Sequence, residues 1–86
     1  MPRLRGELAG TARSILFYAS VAVEGSYLGV SSDLVSESIS LARWNIPVGP
    51  VTVFGASNFP FGFGVFGHDV ASALSAACPV IVKAHP

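Results

Sequence analysis

The sequence is short of charge. Only 12% of its 86 residues are Asp, Glu, Lys or Arg, five basic against five acidic, so the formal net charge is zero. That balance removes the basic footprint that nucleic-acid binding or attraction to an anionic membrane surface requires, and neither partner is expected. Cysteine is scarcer still: Cys78 stands alone, which excludes an internal disulfide. With one thiol and two histidines, His68 and His85, a metal centre is not expected either. No basic run followed by an apolar stretch and a small-residue cleavage site opens the chain, and the expected setting is the reducing cytoplasm. The shortage of charge is matched by 51% hydrophobic residues, which rules out intrinsic disorder because such a chain gains by burying surface.

What charge there is gathers early. Arg3, Arg5, Glu7, Arg13 and Glu24 interleave with Leu4, Leu8, Ala12, Ile15, Ala19 and Val23, apolar positions that advance by three or four. This spacing predicts an amphipathic helix over 3–24 with that stripe facing a core, ended by Gly25 and Gly29. Residues 26–43 hold six serines and no sustained period, and read as a polar connection with a short edge strand at Ser38 to Leu41.

From Trp44 to Gly67 there are twenty-four positions without a charge, long enough to span a bilayer. Pro47, Pro50, Pro60 and five glycines within the window break any such helix, so the membrane reading is set aside in favour of a folded interior. A small non-catalytic membrane or packing module built on these glycines is the second reading of the window. Pro50 to Ala56 is a short β-branched run bounded by Gly and Pro, the pattern of a buried strand. A helix is predicted from Pro60 to about Ala77, with Ser57 or Asn58 as its cap and Phe63, Phe66, Val70, Ala73, Leu74 and Ala77 on one face. Cys78-Pro79 stops it, and Val80-Ile81-Val82 forms a second buried strand.

Strand, helix, strand in so few residues is a βαβ unit with parallel strands. Parallel strands without polar alternation are covered on both faces, yet two helices are all this chain offers. The expectation is therefore an α/β piece of a larger protein, with a lead-in helix and polar connection over 1–46 and the βαβ unit over 47–86.

Two stretches could carry chemistry. Gly62-Phe63-Gly64-Val65-Phe66-Gly67 matches the G-x-G-x-x-G dinucleotide fingerprint in letters, but it does not open directly after the strand, and no acidic residue follows about twenty positions on. Glycines that let the helix pack closely on its sheet are the favoured reading. The turn Phe54-Gly55-Ala56-Ser57-Asn58-Phe59-Pro60 leaves the carboxyl end of the first strand, where α/β sheets bind ligands. Asn58 there has two uncharged N–H donors suited to an oxygen that turns negative during attack on a carbonyl; its other reading is a plain helix cap. Cys78, beside Pro79 and without a basic neighbour to lower its pKa, reads as a small core thiol and not as a nucleophile.

The run from Val48 to Pro60, with Asp69-Val70-Ala71-Ser72-Ala73-Leu74 and Cys78-Pro79-Val80-Ile81-Val82-Lys83-Ala84-His85-Pro86, resembles the aldehyde dehydrogenase superfamily. The nearest likeness is to the branch oxidising 2-oxoglutarate semialdehyde (2,5-dioxopentanoate), whose preceding helix Leu4-Arg5-Gly6-Glu7-Leu8 and Glu24-Gly25-Ser26 also resemble. The resemblance implies a fragment of a Rossmann-type cofactor domain within a homo-oligomeric protein several times longer, using NADP or NAD. It implies that Asn58 donates its amide to the oxygen formed when a cysteine thiolate attacks the aldehyde. That cysteine and the water-activating glutamate would lie beyond Pro86, so the chain by itself is expected to be inactive. Phe54, Gly55, Ala56 and Ser57 match the stretch lining the cofactor cleft. Lys83 matches the lysine that reaches the adenosine ribose, and the lack of an acidic neighbour leaves room for a 2′-phosphate. His68 departs from the G-G-D of that branch.

Overall fold

A computed structural model describes residues 2–86. Helix α1 (Pro2–Glu24) leads through a single 3₁₀ turn (Ser26–Leu28) to strands β1 (Ser31–Leu34) and β2 (Ser40–Arg43). Strand β3 (Val51–Phe54), helix α2 (His68–Ser75) and strand β4 (Val80–Lys83) follow. The fold is α/β, with one parallel and one antiparallel strand pair.

Helix α1 ends where the sequence places its stop. Gly25 and Gly29 both adopt left-handed backbone, with φ of 82° and 58°, a conformation that costs glycine nothing. The Glu24 carboxylate accepts hydrogen bonds from the Ser26 amide at 3.0 Å and the Ser26 hydroxyl at 2.5 Å, which hold its carboxyl below the ordinary carboxylate range. The predicted inward stripe does not face a core. Leu8, Ile15 and Val23 are exposed, and Thr11 is the buried residue of α1. The reason lies in what α1 meets: α2 and the loop before it, which offer hydrogen-bonding partners to the polar face carrying Glu7, Thr11 and Ser14.

Strands β3 and β4 pair in parallel, with Val51 opposite Val80 and Phe54 opposite Lys83. Hydrogen bonds from Val51 N–H to Pro79 C=O, 2.8 Å, and from Gly55 N–H to Lys83 C=O, 2.9 Å, extend the ladder at both ends. Helix α2 packs across both strands. The buried apolar residues, Val53, Val70 and Cys78, come one each from β3, α2 and the α2–β4 junction. Helix α2 closes with Cys78 N–H bonded to Ala73 C=O and Ala77 N–H to Leu74 C=O, the paired bonds of a Schellman cap. Ala77 occupies its left-handed position at φ 64°.

Two sequence expectations are corrected. The helix expected from Pro60 starts only at His68, its N-cap is Gly67, and neither Ser57 nor Asn58 caps it. Residues 60–67 form a tight turn instead, because the glycines let backbone meet backbone: a Cβ on Gly64 would lie 2.2 Å from the Pro60 carbonyl oxygen, and one on Gly67 2.3 Å from that of Gly62. The region read as polar connection with one edge strand is an antiparallel hairpin, Ser31 opposite Arg43 and Leu34 opposite Ser40. Among the described residues no other helix or strand lies against it. Asn45 anchors its base, the amide N–H to Leu28 C=O at 2.7 Å and the side chain to Tyr27 C=O at 3.1 Å. No helix is long and apolar enough to cross a membrane among the described residues.

Candidate functional site

Parallel strands bind ligands beyond their carboxyl ends, and here that edge is made by the loop leaving β3 and the segment following β4. Gly55 lets the two approach: a Cβ at this position would stand 3.2 Å from the His85 nitrogen and 3.5 Å from the Lys83 oxygen. The loop folds back on itself through Ala56 N–H to Phe63 C=O, 3.0 Å, and Phe63 N–H to Phe59 C=O, 2.9 Å. A cavity of about 330 Å³ opens at this edge, lined by Gly55, Ala56, Ser57, Gly64 and His85 among others.

The structure thus brings together Gly55, Ala56 and Ser57 of the expected cofactor stretch. Phe54 and Lys83 sit side by side in register at the strand ends, both exposed, just before the cavity and outside its lining. Small residues, Gly55, Ala56, Ser57 and Gly64, stand in this wall beside Pro60, Val65 and His85, and they permit the close approach that a ribose or a phosphate needs. The residues present therefore fit part of a dinucleotide.

Asn58 follows Ser57 on the same loop, outside the lining of this cavity, and is exposed. Its backbone carbonyl accepts a hydrogen bond from the Arg3 guanidinium, which also stands over the Phe59 ring, 5.3 Å from its centroid. Among the described residues no hydrogen bond engages its carboxamide, so both N–H donors are free for a ligand. A second cavity, about 700 Å³, opens where this loop meets α1; Glu7, Arg13, Ser14, Tyr18, Phe59 and His68 line it. Glu7 Oε1 accepts the amides of Phe61 at 2.7 Å and Gly62 at 2.9 Å, while Glu7 Oε2 is buried without a hydrogen-bond partner. The Ser14 hydroxyl meets His68 Nε2 at 3.2 Å, and the His68 ring lies between Tyr18 and Phe63, with centroids 6.4 and 6.1 Å away.

The glycines of the G-x-G-x-x-G stretch serve the chain's own turn, as the short distances at Gly64 and Gly67 show, and Gly62 is held by Glu7. Cys78 is buried at the end of α2, away from both cavities just described. Arg3, Glu7 and Ser14 were the residues the sequence reading missed. Their spacing of four and seven puts them on one face of the helix, beside the apolar stripe, but does not say what that face meets.

No family model matches the chain. It is 45% identical over 89 aligned residues to the alpha-ketoglutaric semialdehyde dehydrogenase 2 of Azospirillum brasilense. It is 37% identical, again over 89, to the alpha-ketoglutaric semialdehyde dehydrogenase of Acinetobacter baylyi. Each alignment takes in 96% of this chain. The likeness, running along nearly the whole sequence, is to the aldehyde dehydrogenase family and within it to the α-ketoglutaric semialdehyde branch; the chain spans 17% of the length of the curated relatives it matches.

Proposed function

We propose that this chain is the opening part of the cofactor domain of an NAD(P)-dependent aldehyde dehydrogenase that oxidises an aldehyde to a carboxylate, with 2-oxoglutarate semialdehyde as substrate. The observation that carries the reading is the free carboxamide of Asn58, held on the loop at the carboxyl end of a parallel strand. In this reading its N–H donors face the aldehyde oxygen as that oxygen becomes negative, a charge they stabilise more strongly than the neutral carbonyl. The reacting thiol and the water-activating glutamate are supplied by residues other than those of this chain, and buried Cys78 stays a core residue.

NADP or NAD, when bound, supplies the acceptor for the hydride lost by the aldehyde. Gly55, Ala56 and Ser57 would hold it along the wall of the smaller cavity, with Phe54 and Lys83 at its approach. The absence of an acidic residue beside Lys83 favours NADP. Residues 1–46 act as lead-in helix and connection, and residues 47–86 as the first βαβ unit. The parent protein assembles with copies of itself in the cytoplasm; a hairpin that leaves Leu34 77% and Leu41 59% exposed supports assembly.

The test is Asn58→Ala in the intact polypeptide that carries this segment. Turnover should fall about a hundredfold, with cofactor affinity near normal. Unchanged turnover would remove the oxyanion role.

A further inference from the structure

Three residues on one face of α1 hydrogen-bond to the loop that carries Asn58, and each meets it at a different point. Arg3 donates to the Asn58 carbonyl, Glu7 accepts from Phe61 and Gly62, and Ser14 meets His68 where the loop becomes α2. Residues 3, 7 and 14 share a face of the helix and extend along it for about 16 Å. Within itself the loop is tied by backbone bonds, among them Ala56 N–H to Phe63 C=O and Phe63 N–H to Phe59 C=O. Its own glycines make it compact but supply no side chains, and Asn58 and Phe59 are exposed. The bonds to Glu7 are short, and the acceptor is a carboxylate, the stronger kind of hydrogen bond.

We propose that Glu7 and Arg3 are positioning residues for the reaction: they set where the Asn58 carboxamide stands relative to the substrate oxygen, without touching substrate themselves. The proposal rests on the oxyanion role of Asn58. Glu7 fixes the loop three and four residues after Asn58, and Arg3 fixes the peptide of Asn58 itself, so together they determine the direction in which its side chain leaves the backbone. An oxyanion donor displaced by a fraction of its hydrogen-bond length loses most of its effect on the developing charge and little of its effect on ground-state binding.

In the intact enzyme Glu7→Ala should lower kcat about tenfold and leave KM for aldehyde and cofactor within about twofold. Glu7→Gln, whose Oε1 still accepts both amides, should recover to within about threefold of the parent. Arg3→Met, at an exposed position where folding is not at stake, should lower kcat severalfold with the same unchanged KM. In an Asn58→Ala background neither Glu7→Ala nor Arg3→Met should cost anything more, because the group they position is gone. Losses that add to that of Asn58→Ala, or that appear in KM, or an unchanged kcat in both Glu7→Ala and Arg3→Met, would overturn the positioning role. An Asn58→Ala enzyme with normal turnover would instead remove the oxyanion reading on which it rests.

Discussion

The parallel pair β3–β4 and the antiparallel pair β1–β2 have the same length, four residues a strand, and differ in everything that surrounds them. The parallel pair carries α2 across both strands, and Val53, Val70 and Cys78 are buried in this unit. Among the described residues the hairpin meets no other helix or strand, and every residue of β2 is exposed. Parallel strands need a crossover, and the crossover brings its own cover; a hairpin needs only a turn and arrives uncovered. In this chain the difference sorts structure from surface. The region with a local partner positions the candidate site, and the region without one leaves its apolar side chains Leu34 and Leu41 exposed.

The largest test of that division is Gly67→Ala. Gly67 has an ordinary φ of −83°, so the constraint is one of space: the added methyl would meet the Gly62 carbonyl oxygen at 2.3 Å and its carbon at 2.7 Å. Both are backbone atoms, and the Gly62 oxygen also accepts the His68 amide at 3.0 Å. Relief requires the 60–67 turn to open, at a cost of about 3 kcal/mol in urea unfolding of the intact protein. A variant as stable as the parent would mean that the turn is not held against α2 in this way.

The same glycines explain why part of the fold was legible in the sequence and part was not. Helix α1, β3 and β4 were readable because capping glycines and β-branched runs are local signals that tertiary structure did not overrule. The front of the second helix was misread because Phe63 and Phe66 do fall at helical spacing with Val70. Spacing cannot see that Glu7, more than fifty residues away, takes the amides of Phe61 and Gly62. The facing of α1 was misread for a related reason: its apolar stripe is periodic, but its hydrogen-bonding partners decided which side is inward. The candidate site was half legible. The loop and Asn58 follow from the strand end, whereas the contacts from Arg3, Glu7 and Ser14 depend on long-range packing that no local pattern encodes.

A smaller effect is expected at the centre of the covered pair. Val53 is 6% exposed, and Val53→Ala removes two buried methyl groups from a core of very few residues. The loss should be about 2 kcal/mol, transfer and cavity contributions together, read from the shift of the urea midpoint at constant slope. A loss below about 0.5 kcal/mol, the size of a surface substitution, would place Val53 outside any cooperative core.

The smallest effect, and the one that most sharpens the contrast, belongs to the hairpin. Leu41 lies opposite Asp33 in the register and is 59% exposed, so trimming its side chain removes little buried surface. Leu41→Ala should leave the unfolding free energy measured at low protein concentration within about 0.5 kcal/mol of the parent. If copies of the protein associate through this hairpin, the same substitution acts at the interface, and sedimentation should show the assembly dissociating at a higher protein concentration than the parent does. A stability loss equal to that of Val53→Ala and independent of concentration would mean that the hairpin is covered from within the same polypeptide. The two strand pairs would then differ only in which part of that polypeptide covers them.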